Sequence, residues 1–391
     1  MNLGIRLNQQ HKRLINFPIV SKTKTAIIFA LIAFLLAFDQ IITYGAAANF
    51  GRGGGVGVLL IIVTSLLCLK QRLSQRKLFA ISLIALLTIM QIDLTAPLMG
   101  QLYITIIVFF TAYLYLIEVR LYFNKSHYFT YCLLFITFVN LISKLGFNLF
   151  GFIGNLESNR ATGLYAEPSH MVYYVSVAYL FAIREDPKRK GLLGLISGFL
   201  LLANFSLTAV IPLLIITWTA LMGRKTNVNY KIILFTLILS VFVLVLFSTS
   251  LDYLKERNVF ADEGDQSATV QVILYYYAML FNIIDKNILF GYGPDQFYEA
   301  YSSFSTATFP MFGDLNSTDG SFLLVKMVAE FGSIAAISFI FLITSTLRNN
   351  SIPATIIFLQ YVFLRGIGVT SVIPLALLFL IYSSKHLRTR H

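Results

Sequence analysis

The sequence predicts an all-α polytopic membrane protein, with about twelve transmembrane helices and two sizeable loops on its outer side. Three observations carry that prediction. Of the 391 residues, 57% are hydrophobic and only 12% are charged, with a mean hydropathy of +0.76. A soluble domain carries about a quarter charged residues, and a disordered chain has low hydrophobicity, so both classes are excluded. The apolar residues gather in runs close to the roughly 20 residues that cross a bilayer as a helix. Short basic clusters separate the runs on alternating sides, as the cytoplasmic bias of Lys and Arg requires.

The runs follow in order. The first, 25–45, comes after Lys22 and Lys24; its length and the lack of a clear cleavage site make it a signal anchor rather than a removed signal peptide. The second, 56–69, is closed by Lys70, Arg72, Arg76 and Lys77, and the third is 78–93. The fourth, 101–119, is closed by Arg120 and Lys125, and the fifth is 128–149. The sixth, 169–183, runs into Arg184, Lys188, Arg189 and Lys190. The seventh and eighth, 191–205 and 207–223, meet at the polar stretch Asn204-Phe205-Ser206-Leu207-Thr208, so the pair also reads as one broken span. Arg224, Lys225 and Lys231 separate them from the ninth, 231–249. The tenth, 320–345, ends before Arg348; 351–365 and 367–384 complete the set before Lys385, Arg388 and Arg390.

With both chain ends inside, 22 of the 30 basic residues fall in inner segments. The exceptions are Arg52, Lys144, Arg160, Lys255, Arg257, Lys286, Lys326 and Arg365. The net charge of +12 is therefore a topology signal and not a nucleic-acid footprint. The two cysteines, Cys68 and Cys132, lie inside apolar runs and suit neither a disulfide framework nor a metal site. The whole chain, 1–391, reads as a single integral membrane domain. Gly51-Arg52-Gly53-Gly54-Gly55 is a flexible outer turn; it lacks the Lys-Ser/Thr of a phosphate-binding loop.

Polarity concentrates in two outer loops, about 148–168 and 250–319, which hold 12 of the 18 acidic residues. Long loops of this kind are usually functional. The apolar stretch from Val270 to Phe290 inside the second loop reads as a helix at the interface or packed on the bundle. A thirteenth span there would carry the basic C-terminal tail outside.

Three groups could carry chemistry. Arg160, Glu167 and His170 lie within eleven residues at the mouth of the sixth run. Pro168 disfavours helix at Glu167 and suits the first helical position, so Glu167 stands at a helix N-terminus, where negative charge is stabilised. Read structurally, the same residues cap a helix and meet head groups. Arg160, Arg257 and Arg365 run against the inner bias. Planar guanidinium forks suit phosphate, although snorkelling to outer head groups would also account for them. Gly291-Tyr292-Gly293-Pro294-Asp295 permits a tight turn near a ligand. Asp314, Asn316 and Asp319 supply acceptors of the kind that hold sugar hydroxyls, or serve as loop caps. Lys326 and Glu330, four apart in the tenth run, are placed to pair with each other. Asp39, near the outer end of the first run, is placed to face the bundle interior. His170 is the one outer histidine; no metal-ligand spacing appears, and no metal or other cofactor is expected.

The pattern resembles the Wzy-type O-antigen and capsule polysaccharide polymerases, which share architecture with the O-antigen ligase. The matching features are about twelve spans and a medium outer loop reading Arg-x-x-Gly-x-x-x-Glu-Pro-Ser (Arg160 to Ser169). A large later outer loop carries Glu256-Arg257-Asn258, Asp265-Gln266-Ser267 and Gly291-Tyr292-Gly293. It closes on Asp319-Gly320-Ser321-Phe322-Leu323-Leu324, with Glu330-Phe331-Gly332 following. The resemblance implies a bacterial inner-membrane enzyme with both termini cytoplasmic and both loops periplasmic. It would transfer a glycan from one undecaprenyl-diphosphate-linked oligosaccharide to the sugar end of another. Its expected partners are that lipid-linked substrate, membrane lipid and a chain-length regulator, with no nucleic acid. Arg160, Arg257 and Arg365 would hold the diphosphate; Gly291, Gly293, Asp314 and Asn316 would line the substrate site. Relatives place a proposed histidine base in the large loop. None lies between Ser250 and Gly320 here, which leaves Asp319, Glu167 and His170 as candidates. That absence favours polymerase over ligase; a lipid-linked oligosaccharide flippase is the alternative of a different class.

Overall fold

The computed structural model describes residues 22–50, 56–68, 126–145, 164–165, 168–203, 207–221, 268–286, 289–308, 323–333, 352–364 and 371–383, with single positions between 75 and 106. Of the described residues, 89% are helical and none is in a strand. The helices are α1 (Lys22–Phe50), α2 (Val56–Cys68), α3 (Tyr128–Lys144), α4 (Pro168–Glu185), α5 (Lys190–Ala203), α6 (Val210–Leu221), α7 (Ala268–Lys286), α8 (Phe297–Thr308), α9 (323–333), α10 (Ile352–Phe363) and α11 (Val372–Ser383). Each falls on an apolar run or on the helical stretch expected in the large loop. The Gly51–Gly55 turn and the ninth run lie outside the described residues, as do Arg160, Glu167, Arg257, Asp314, Asn316, Asp319 and Arg365.

Within α1, Thr23–Thr43 is long and apolar enough to cross a membrane, and α2, α3, α6, α10 and α11 supply shorter apolar helices. Their outward faces are apolar at helical spacing. Tyr131, Leu134, Phe138 and Leu141 are exposed on α3, and Leu192, Leu195 and Phe199 on α5. Polar side chains are turned inward instead, among them Asp39, Gln40, Asn140, Ser197 and Gln360. Apolar outside with polar inside is compatible with a helical membrane protein, whose outer faces meet lipid rather than water.

α4 is the centre. Every residue from Met171 to Ala182 is buried, and α1, α3, α5, α6, α10 and α11 all pack on it. Rings fill the space around it: Phe129 stacks on Phe181 at 4.2 Å, and Tyr173 meets Tyr361 edge-on at 5.0 Å. α5 and α6 fold back on each other. A Cβ on Gly194 would lie 2.7 Å from the Cβ of Ala220, and one on Gly198 would lie 3.5 Å from Leu213. The early end of α5 thus meets the late end of α6, which makes them an antiparallel pair rather than one broken span. Small residues at the crossing let the backbones approach.

One end of the bundle is pinned by consecutive charged residues at the end of α4. Glu185 accepts from Ser126 Oγ at 2.9 Å and from the Phe129 amide at 3.2 Å, so it caps the start of α3. Arg184 donates through Nη1 to the Leu380 carbonyl near the end of α11. Asp186 accepts from the Lys188 amide at 3.1 Å and opens the short 3-10 turn Pro187–Arg189 into α5. Burial raises the Glu185 carboxyl above its ordinary 4.5, against the lowering effect of its hydrogen bonds. The folded protein therefore holds this proton to higher pH than the unfolded chain. Stability from this group is fully present below pH 4.5 and is lost as pH rises through the folded value. A Glu185→Gln variant is expected to flatten that part of the thermal midpoint's pH profile in detergent-solubilised protein; an unchanged slope would count against the assignment.

A second, smaller core joins α7, α8 and α9 through Tyr276, Met279, Ile283, Phe297, Ala300, Val325 and Val328. It is tied to the main bundle by Tyr277, whose hydroxyl donates to the Phe363 carbonyl at 2.6 Å. α7 is thus packed on the bundle, one of the two dispositions expected from the sequence.

Candidate functional site

At the end of the bundle opposite Arg184 and Glu185, the polar ends of four helices meet. Asp39 and Gln40 are adjacent on α1 and face α4. His170 and Tyr174, four residues apart, share one face of α4 and receive them in turn. Tyr174 donates to Asp39 Oδ2 at 2.6 Å, and Gln40 Nε2 lies 2.8 Å from His170 Nδ1. Asp39 is 2% exposed. Its Oδ2 also faces the Val372 amide at 3.4 Å, in the first turn of α11, and Ser371 Oγ lies 3.3 Å from the Tyr174 hydroxyl. Its Oδ1 has no hydrogen-bond partner and points at Gly57 in the first turn of α2, where a Cβ would strike it.

The starts of α2, α4 and α11 therefore surround one carboxylate. Helix N-termini carry partial positive charge, so Asp39 is favoured there as an anion despite its burial. Tyr165 closes the cluster from the segment that precedes α4. Its ring stacks on Tyr174 at 4.9 Å, and its hydroxyl donates to the Leu36 carbonyl at 2.9 Å. Ser169 is buried beside them. Tyr165, Ser169 and His170 thus bring the later half of the Arg160–His170 stretch onto the same polar end as Asp39.

The glycine turn is placed elsewhere, against α9. Gly291, Gly293, Asp295 and Gly332 all have left-handed backbones, with φ of 66, 103, 61 and 62°. The Tyr292 amide donates to Ala329 O at 2.8 Å, and the Gly293 amide to Glu330 O at 3.0 Å. A Cβ on Gly291 would stand 2.5 Å from Ala329 O, and one on Gly332 would stand 2.5 Å from Leu289 O. These glycines let two backbones touch, and the amides of Tyr292 and Gly293 are committed to the helix. Beneath the turn, Glu330 is fully buried and Lys326 Nζ lies 3.9 Å from its Oε1, the expected pair at four-residue spacing.

Of the sequence-derived site residues, His170 joins the Asp39 cluster, while Gly291 and Gly293 join the α9 contact. Tyr174, Tyr165, Ser371 and Gln40 were not singled out in the sequence. Asp39-Gln40 inside an apolar run was the one available signal; a tyrosine in an apolar run carries none. No group of three metal-ligating side chains occurs among the described residues. No family model, curated protein or solved structure matches the chain.

Proposed function

We propose that the chain is a polysaccharide polymerase of the bacterial inner membrane, which joins undecaprenyl-diphosphate-linked oligosaccharides on the periplasmic face. The reading takes about twelve spans, with both termini in the cytoplasm. The observation that carries it is the seating of Tyr165, Ser169 and His170, all from the Arg160–His170 stretch, in one polar cluster with Asp39, Gln40, Tyr174 and Ser371. The basic bias assigns the Arg184–Glu185 end to the cytoplasm and the Asp39 end to the outer face. A polar cluster inside apolar helices is a functional-site hypothesis by default, because it is costly to bury.

In this reading an acceptor sugar hydroxyl attacks the anomeric carbon of the donor. The anomeric C–O bond to the diphosphate breaks, and undecaprenyl diphosphate departs with the bonding electrons. Arg160, Arg257 and Arg365 stabilise the charge that develops on it. Glu167 or Asp319 takes the hydroxyl proton. A chain-length regulator is the expected protein partner. Arg160→Ala and Glu167→Ala are each expected to replace long surface chains by single-repeat products at normal protein levels. Retained long chains would remove those roles. Transfer of glycan to lipid A by the purified protein would mark a ligase instead.

A transporter is the second reading, favoured by the buried Lys326–Glu330 pair and by the left-handed Gly332 that interrupts the same run. The readings separate on where lipid-linked repeat units accumulate in a deletion strain. A flippase leaves them on the cytoplasmic leaflet; a polymerase leaves them translocated and unjoined.

A further inference from the structure

The Gln40–His170 contact defines the chemistry open to the histidine. A side-chain amide nitrogen only donates hydrogen bonds. With Gln40 Nε2 2.8 Å from His170 Nδ1, the Nδ1 lone pair is the acceptor and the ring proton of the neutral imidazole sits on Nε2. Gln40 is 4% exposed, and its helix neighbour Asp39 is held by the Tyr174 hydroxyl and the Val372 amide. The group that sets the tautomer is therefore fixed from both sides. A ring whose Nδ1 accepts and whose Nε2 carries hydrogen has no lone pair left for a substrate proton.

We propose that His170 is not a base but an Nε2–H donor to an anionic oxygen of the substrate, with Gln40 as the residue that positions it in that state. Resting on the polymerase reading, the anion is the diphosphate of the lipid-linked donor. His170 lies in the first turn of α4, where the helix end also favours negative charge. This removes one of the three candidate bases and leaves the proton to a carboxylate.

The test is nitrogen-15 magnetic resonance on the full chain in lipid nanodiscs, with labelled histidine and the His170 signals assigned by their loss in His170→Gln. At neutral pH, Nδ1 is expected to resonate as unprotonated and Nε2 as protonated. Gln40→Glu, which offers an acceptor in place of a donor, is expected to reverse the pattern. Addition of a short-chain prenyl diphosphate is expected to shift Nε2, and the matching prenyl alcohol to leave it in place. An Nδ1–H tautomer in the wild type, or a pattern that ignores Gln40→Glu, would overturn the proposal. In cells, His170→Gln keeps a donor and is expected to retain long-chain polysaccharide that His170→Ala loses. Equal loss in both, at equal protein levels, would also overturn it. If deleting the protein leaves surface polysaccharide untouched, the polymerase reading fails while the resonance result still stands on its own.

Discussion

Replacing Gly291 by alanine is expected to be the most damaging single change in the described structure. The left-handed backbone costs an L-residue roughly 1–2 kcal/mol. The new methyl would stand 2.5 Å from Ala329 O, so the turn must lift off α9. The hydrogen bonds from Tyr292 and Gly293 would go with it, at about 1 kcal/mol each. The combined loss of about 3–4 kcal/mol should appear as a lowered thermal midpoint and as early proteolysis between α7 and α8. Gly332→Ala meets the same contact from the other side, at Leu289 O, and should behave alike. Because both changes break one contact, the double variant should cost little more than either single one. Additive losses would mean that the two glycines act separately.

Replacing Asp39 by alanine is expected to cost about 2–3 kcal/mol, because the buried hydroxyl of Tyr174 and the amide of Val372 would lose their acceptor. Asp39→Asn preserves the shape and one acceptor oxygen. It should recover most of the stability unless the negative charge among the three helix starts is itself needed. A stable Asp39→Asn protein that fails to restore long-chain polysaccharide would assign the charge to function; an Asp39→Ala variant as stable as wild type would show that the cluster contributes nothing to folding.

The helices were legible because each apolar run is local information. α5 and α6 were legible only as an ambiguity, since the choice between a hairpin and one broken span depends on Gly194 meeting Ala220 across the turn. The Lys326–Glu330 pair could be anticipated, since four residues along a helix bring side chains together. The Asp39 cluster could not, because its members lie 135 and 333 residues from Asp39 along the chain. Gly291 and Gly293 read as a turn, which they form. That the turn faces α9 depended on Gly332, whose left-handed backbone inside a predicted span left no mark in the periodicity. Glu185 looked like one more charge in an inner loop; its role as a cap depends on Ser126 and Phe129 in a different helix.

The separation between Asp39 and Val372 also has a meaning in time. A ribosome adds roughly 5–20 residues per second, so the amide that faces Asp39 is made roughly 20–60 s after the carboxylate. Through that interval the first helix waits without one of its partners, while Tyr174 arrives earlier to occupy the acid. The order of synthesis thus assigns α4 the part of an interim guardian, and a cell short of insertion chaperones should lose a Tyr174→Phe protein before it loses the wild type.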